Sequence, residues 1–544
     1  MGAQERRLNP WQWVAGHPVE VAFALVAIGW LWYVLRINGD MSFWSDDLLL
    51  IEQGGSWGGL LKPYNQHLSL VPLASYRLLA EVSDLSYAPF LVFGALSLLA
   101  VPVSYFVTTR RLFGPPLAAT LALLLMWPDG LVTRPASSNH YLSAVGAIVC
   151  AAAVNRGRRA DGPLVLALLF SLCAAGGGVV VAVACLVHNL LVRCPLRRWL
   201  AVLVPLALWA VWRLLAAGGL SPHTTDPLTA RQTFGVVREL SLSPFHAVSF
   251  ESRVLAYVLM AAFLAVGVMR LRQGLRAASN FLAWSAAMVA WALALAQSRG
   301  GGADSVTFRY VYLSLVFALL AVVPVRAIRW SQPVALTNRR WLAASAVVIM
   351  VFGAASALSA RDGLQGSASR NAEMGREADG TLLVVGLGPE VVPDSTRIAF
   401  FGFGNPHGTA GRVRALIDRY GSPFEATTGT ADRELVELGI VRRRPLGQRP
   451  HLGCQQLTEP LLQPGIATRG LGEPPRGTST DQPPPEPLQL WSSEPFTIEV
   501  RRYGDDWVHV ADQGGGRTVE LTLPALSTEW PWEVRADGAC DVRP

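Results

Sequence analysis

Two adjacent carboxylates, Asp46 and Asp47, stand directly before the short apolar run Leu48-Leu49-Leu50-Ile51. A carboxylate at such a position could accept the proton of a hydroxyl group, while its neighbour orients it or holds a Mg²⁺ or Mn²⁺ ion. Adjacent acidic residues also favour the first turn of a helix, because the N-terminal end of a helix dipole is positive. The pair therefore predicts either a general base or an ordinary helix start.

Cationic, amide and phenolic side chains recur in three further polar stretches. Lys, Arg and His can bind a phosphate through charge-assisted hydrogen bonds. A lone histidine is more often structural than catalytic, and an arginine that opens an apolar stretch can simply extend to the membrane surface. The candidates for phosphate binding are His67, Lys62, Arg134 and Arg309. The candidates for other substrate contacts are Asn65, Asn139, His140 and Tyr310.

The composition shows which elements must position these side chains. Of 544 residues, 51% are hydrophobic and 16% are charged, with a mean hydropathy of +0.33. A soluble chain carries about 25% charged residues. Because the apolar residues come in long blocks, the chain is predicted to be a multi-spanning α-helical membrane protein. The same figures exclude a disordered, collagenous or small disulfide-rich protein and disfavour a cytosolic enzyme.

The arginine clusters between the apolar blocks predict the topology. Basic loops mark the cytoplasmic face of a bacterial cell membrane, so the chain must cross an even number of times between them. About eleven spans follow, with the N-terminus inside and the C-terminus outside. The pair at 163–192 is short for two spans, and Gly176-Gly177-Gly178 predicts a hairpin turn there. The expected spans are 19–37, 88–109, 115–128, 140–154, 163–174, 178–192, 199–216, 254–269, 279–297, 310–328 and 341–360.

Charge divides the chain into two predicted domains, a transmembrane domain at 1–360 and an extracytoplasmic domain at 361–544. The basic excess lies in the first part and the acidic excess in the second. Because the basic residues are loop arginines of a membrane domain, they do not indicate binding of nucleic acid. In the loop at 217–253, apolar residues among charged neighbours predict either a helix lying in the membrane interface or ordinary amphipathic packing.

The tail predicts a mixed α/β part at about 380–450 and a β-rich part at about 488–544. Expected strands are 381–385, 397–401, 496–503, 507–511, 518–523 and 532–536, and 410–420 is an expected helix. Cys454 and Cys540 are the two cysteines of the tail, and they are the natural disulfide pair if this part faces an oxidising compartment.

One family resemblance rests on the first outer loop. Phe43-Trp44-Ser45-Asp46-Asp47-Leu48 follows the first span, and Asn65-Gln66-His67-Leu68 follows about 20 residues later. This arrangement, with the short hairpin, the Arg309-Tyr310 opening of a late span and the outer tail, resembles the bacterial GT-C superfamily of integral-membrane glycosyltransferases. The resemblance covers residues 15–330.

The resemblance implies a GT-C-like fold and a sugar donor linked to polyprenyl phosphate. It implies that Asp46 or Asp47 activates an acceptor hydroxyl of an envelope glycan or glycolipid, and that the cations named above bind the donor phosphate. Two alternatives remain: a transporter or flippase of lipid-linked sugars, and a non-catalytic membrane scaffold. The acidic pair favours an enzyme of cell-envelope biogenesis, because a scaffold needs no such pair and a transporter usually places ionisable groups at the membrane midplane.

Overall fold

The computed structural model describes the chain in segments, and every statement below concerns these segments alone. They are residues 16–39, 41–43, 45–64, 67–126, 134–156, 160–216, 229–249, 252–299, 308–325, 339–386, 388–389, 392, 394–396, 409–421, 442–447, 455–456, 461–463, 488–501, 507–522, 532–536 and 539–541.

The described residues form two compact units, each made of separate stretches of sequence. The first unit contains Met1–Asp40, Gln53–Leu79 and Ala88–Asn371. The second contains Met41–Glu52, Ala80–Tyr87 and Ala372–Pro544. The acidic pair therefore belongs to the same unit as the polar tail.

Sixteen α-helices are seen in the described segments. Those before residue 192 are α1 Pro18–Ile37, α2 Ser45–Gly54, α3 Trp57–Leu60, α4 Leu70–Ser83, α5 Ala88–Phe113, α6 Pro115–Leu123, α7 Ser138–Arg156, α8 Asp161–Ala174 and α9 Gly177–Val192. Those after it are α10 Leu196–Leu215, α11 Ala230–Ala247, α12 Arg253–Arg272, α13 Leu275–Arg299, α14 Phe308–Val322, α15 Arg339–Gly386 and α16 Ala410–Tyr420.

Six of the described helices are long and apolar enough to cross a membrane, so the chain is a helical membrane protein. They are α1, α5, α7 with its preceding turn, α10, α12 and α13 up to Gln297. Four shorter apolar helical stretches are α8, α9, Tyr310–Val322 and Arg340–Ala355. Most of the predicted apolar spans thus fall on helices. However, α6 ends at Leu123 and is only 9 residues long where a span at 115–128 was expected, and α14 ends at Val322 where the expected span runs to 328.

Helix α7 lies at the centre of the first unit and packs on α5, α8, α9 and α14. Small residues allow the closest of these approaches, as is common between helices in a membrane. The Ser143 and Ser171 hydroxyls are 2.9 Å apart. At Gly146 an added Cβ would lie 2.7 Å from Cβ of Ser171, so only glycine permits this distance between α7 and α8.

The expected hairpin at 163–192 is present as α8 and α9, which turn at Ala175-Gly176. Gly178 N donates to the carbonyl of Ala175 at 3.0 Å. A Cβ at Gly178 would lie 2.5 Å from the backbone of Leu172, so the turn requires glycine there. With 14 and 16 residues, the two helices are about 21 and 24 Å long.

The loop predicted at 217–253 contains the helix α11, whose start is closed by a capping box. The Thr229 hydroxyl accepts from Gln232 N, and the Gln232 side chain accepts from Thr229 N. Leu240 is buried and Phe234 is exposed, so the helix is amphipathic.

Helix α15 corrects one expectation about the start of the tail. It runs without interruption from Arg339 to Gly386, so the predicted strand at 381–385 is wrong. The stretch contains no proline. Because Leu382, Val384 and Val385 are buried on the helix, packing overrides the strand preference of the β-branched pair.

The remainder of the second unit is β-rich. Its strands are β1 Arg442–Gly447, β2 Gln455–Gln456, β3 Leu461–Gln463, β4 Leu488–Ser492, β5 Phe496–Arg501, β6 Val508–Gln513, β7 Arg517–Thr522, β8 Trp532–Arg535 and β9 Cys540–Asp541. They form antiparallel sheets in the orders β1-β7-β4-β9-β2 and β3-β8-β5-β6. Within the described residues, the strands expected at 496–503, 507–511, 518–523 and 532–536 and the helix at 410–420 are confirmed. The strand expected at 397–401 lies outside the described residues.

Candidate functional site

The acidic pair opens helix α2, and its two members differ in environment. Asp46 is half-buried, whereas Asp47 has 0% of its surface exposed. Leu48, Leu50 and Ile51 are buried beside it. Removing a carboxylate from water costs free energy unless other groups compensate for the lost hydration. The buried position of Asp47 is therefore not explained by an acidic helix start that faces solvent.

Two side-chain pairs hold the acidic segment within the second unit. Glu52, near the end of α2, accepts a bidentate interaction from Arg412 of α16, with Nε 2.6 Å from Oε1. Before α2, the buried Ser42 hydroxyl donates to a carboxylate oxygen of Asp379 on α15. The position of Asp46 and Asp47 therefore depends on two residues more than 330 positions later in the chain.

Asp379 is a functional candidate that no sequence motif indicates. Burial raises the pKa of its carboxyl to about 6, although the Ser42 hydrogen bond acts to lower it. The carboxyl therefore keeps its proton over part of the mildly acidic range, unlike an aspartate in water.

His67 is paired with Tyr64 through the backbone in the first unit. The backbone groups of Tyr64 and His67 bond to each other in both directions, at 2.9 and 2.8 Å. The half-buried imidazole packs against the hairpin turn: a Cβ built on Gly176 would lie 2.6 Å from both Nδ1 and Cε1 of His67. Gly176 therefore leaves the space that the imidazole occupies.

The next residue of the same turn, Gly177, meets two other helices. A Cβ there would lie 2.7 Å from a methyl group of Leu313 on α14 and 3.1 Å from the Ser143 hydroxyl on α7. The hairpin turn thus brings the His67 loop together with the beginnings of α7 and α14.

His140 and Tyr310, one helical turn before Ser143 and Leu313, form an aromatic cluster with Trp291. The ring centroids of His140 and Tyr310 are 5.5 Å apart and nearly perpendicular, and His140 is 6.3 Å from Trp291. The Trp291 indole donates to the Tyr310 carbonyl at 3.0 Å. The structure therefore brings these two predicted substrate-contact residues together. Asn139 adjoins them, and its side-chain oxygen accepts from the His140 backbone N–H at 2.7 Å.

The predicted cations occupy different environments. The Lys62 side chain is exposed, and its carbonyl accepts from the Gln53 amide at 2.9 Å. Arg134 is half-buried and precedes a 3₁₀ turn whose Pro135 packs against Gly94 of α5. The Arg309 side chain, Asn65, Cys454 and the Cys540 side chain lie outside the described residues. The roles of Arg309 and Asn65 and the disulfide therefore remain predictions.

A metal ion at the two aspartates remains a prediction, and their positions on α2 bear on it. Consecutive helix positions lie about 100° apart around the axis, and Asp46 and Asp47 differ in burial accordingly. Across the described segments, no group of three His, Cys, Asp or Glu residues is placed to bind a metal.

Three comparisons with known proteins accompany this geometry. No protein-family model and no curated protein matches the chain. Among solved structures, the chain is similar to ArnT from Cupriavidus metallidurans bound to undecaprenyl phosphate, with a TM-score of 0.42 and 15% identity. The match covers 75% of this chain and 85% of that one.

Proposed function

We propose that the protein is a membrane glycosyltransferase that transfers a sugar from a polyprenyl-phosphate donor to a hydroxyl of an envelope glycan or glycolipid. The observation that carries the proposal is the cluster in the first unit, where His67, the Gly176-Gly177 turn and the beginnings of α7 and α14 meet. Three of these stretches, which are distant in sequence, supply two imidazoles, an amide and a phenol there, although most of the surrounding helices are apolar.

In the proposed reaction, the acceptor hydroxyl attacks the anomeric carbon as the bond between that carbon and the phosphate oxygen breaks. The hydroxyl proton passes to a carboxylate, and polyprenyl phosphate leaves with its electron pair. Fixed cations would stabilise the charge that develops on this phosphate. We assign this role to His67, Lys62, Arg134 and Arg309, in falling order of preference after His67.

The base is Asp46 or Asp47. Asp46 is the stronger choice for direct contact with a hydroxyl, because it is half-buried and Asp47 has no exposed surface. Asp47 would then orient the start of α2. Asn65, Asn139, His140 and Tyr310 are proposed to contact the substrate.

A transfer assay tests the proposal. Protein in lipid nanodiscs would receive a panel of radiolabelled polyprenyl-phosphate sugars and a membrane extract that contains glycan and glycolipid acceptors. Asp46→Asn should lower kcat by about 10² to 10⁴, the usual contribution of a general base. Asp84→Asn is the matched control, because Asp84 is exposed and its backbone has a positive φ of 48°, which asparagine also tolerates.

The same preparation separates the alternatives. Label that remains on the polyprenyl lipid but crosses the bilayer of a vesicle would identify a transporter. Full transfer by both Asp46→Asn and Asp47→Asn would remove the assignment of the base. If the protein neither transfers sugar from any donor nor moves any donor across the bilayer, the result favours a scaffold.

A further inference from the structure

The segment Ser56–Lys62 presents apolar side chains that the described residues leave exposed. Trp57 is 78% exposed and Leu61 is 57% exposed, whereas Leu60 between them is buried. On the neighbouring helix α4, Leu78 is also exposed. Exposed apolar residues grouped in this way mark a surface that contacts a partner or a membrane.

This segment is a rigid element of the first unit. The Ser56 hydroxyl caps α3 by accepting from Gly59 N at 2.9 Å. The Gln53 side chain donates to the carbonyls of Gly59 and Lys62 at 3.2 and 2.9 Å. A Cβ at Gly59 would lie 1.9 Å from the carbonyl oxygen of Gln53, so only glycine fits. Trp57 and Leu61 are therefore exposed in a fixed backbone conformation.

A hydrogen bond to a membrane span sets the depth of the segment. The indole of Trp212 donates to the Leu61 carbonyl at 2.8 Å. Trp212 lies in the last turn of α10, whose 20 residues are about 30 Å long, the thickness of the hydrocarbon layer. Leu214 and Leu215, at the same end, are 76% and 83% exposed. Leu61 therefore lies where the span reaches the lipid headgroups.

The polar groups beside these apolar side chains are of the kinds found at the level of the lipid headgroups. The Arg77 guanidinium lies over the Trp57 ring, 4.9 Å from its centroid, and Lys62 is exposed next to Leu61. Tryptophan together with Lys and Arg is typical of the layer where acyl chains meet phosphates.

We propose that Ser56–Lys62 is an interfacial membrane anchor, which lies in the headgroup layer at the C-terminal end of α10. Trp57 and Leu61 insert between lipids, and Lys62 and Arg77 lie at the level of the lipid phosphates. The occupant of this surface is the bilayer itself, because the surface continues the exposed apolar face of α10. The anchor does not depend on the chemistry proposed above.

Fluorescence quenching at chosen depths tests the anchor. A fluorescent amino acid would replace Leu61 by amber suppression, and the full chain would be placed in vesicles of phosphatidylcholine and phosphatidylglycerol. Position 208, an exposed leucine of α10, serves as the control within the span, and Ser493, exposed in the β4–β5 turn, serves as the control in water. Nitroxides near the lipid headgroup should quench position 61 most, nitroxides deep in the acyl chain should quench position 208 most, and aqueous iodide should quench position 493.

Lys62 provides a second readout, because it is the single lysine of the chain. An amine-reactive group carried on a phosphatidylethanolamine headgroup should modify it, as mass spectrometry of the peptide would show, and Lys62→Arg should abolish this modification. Quenching of position 61 by iodide alone, or protection from every quencher by contact with another protein copy, would overturn the anchor. Failure of the reagent to modify Lys62 in the bilayer would do so as well.

Discussion

The imidazole of His67 occupies space that exists because residue 176 lacks a side chain. The contact joins the loop after α3 to the turn between α8 and α9, more than 100 residues later. The geometry of His67 can therefore be tested without replacing His67 itself.

Gly176→Ala should displace the imidazole, because the new Cβ would lie 2.6 Å from two ring atoms. We expect a loss of about 1 to 3 kcal/mol in the free energy of unfolding, the usual cost of overpacking. Transfer activity should fall as well. Thermal unfolding and the transfer assay measure the two effects.

The double variant Gly176→Ala with His67→Ala separates these effects. Removing the ring should restore stability and leave activity low. The control is Gly162→Ala, since an added Cβ there meets nothing within 4 Å. Normal stability and activity of Gly176→Ala would contradict a role for this contact.

In the cluster of His140, Tyr310 and Trp291, the contribution of the His140 ring to packing can be measured separately from the contribution of its nitrogens to substrate binding. His140→Phe keeps a ring of similar size against both partners, so stability should change by less than about 1.5 kcal/mol, as for other volume-conserving replacements. It removes the imidazole nitrogens, so KM for the donor or acceptor should rise. Tyr310→Ala should lower stability, because each lost edge-to-face pair contributes about 0.5 to 1.5 kcal/mol. If His140→Phe keeps the KM of the natural chain, His140 is purely structural.

The Glu52–Arg412 pair should stabilise the second unit. Its side chains are about one-third exposed, so we expect Glu52→Gln to cost about 1 kcal/mol. Arg412→Gln should cost a similar amount, and the double variant should cost less than the sum of the two. Hydrogen exchange of α16 would detect the change. Asp418→Asn, at an exposed position of the same helix, is the control, and strict additivity of the pair would show that the ionic contact contributes nothing.

Asp379 should make the second unit sensitive to pH. Its folded-state pKa of about 6 lies above the ordinary value of 3.8, so the unfolded chain releases this proton first as the pH rises. Stability from this residue is therefore fully present below about pH 4 and falls between about pH 4 and 6. Asp379→Asn should flatten the dependence of the unfolding temperature on pH in this window. Identical pH profiles for Asp379→Asn and the natural chain would refute the assignment.

Much of the fold follows from patterns within single stretches of sequence. The apolar blocks predict helices in the first unit, the glycine triplet predicts the hairpin turn, and the alternation at 496–503 predicts β5. The error at 381–385 has a physical cause: a run such as Thr381-Leu382-Leu383-Val384-Val385 suits a buried strand or a buried helix, and only its tertiary neighbours decide.

The site residues that escaped prediction are those whose role depends on a distant partner. The glycine triplet in the sequence predicts that Gly176 lies in a turn, but no neighbouring residue indicates that Gly176 contacts His67. Asp379 lies in a polar helical stretch, and nothing near it indicates that it accepts a hydrogen bond from Ser42.

The second unit is assembled from separate stretches of the sequence, and this has a consequence for biosynthesis. Met41–Glu52 leaves the ribosome more than 300 residues before Asp379 and Arg412 exist. Until residue 412 of 544 has been made, the segment with the two aspartates lacks the partners that hold it, whereas the apolar helices are already inserting. A nascent or prematurely terminated chain would thus occupy the membrane with its acidic segment unassembled.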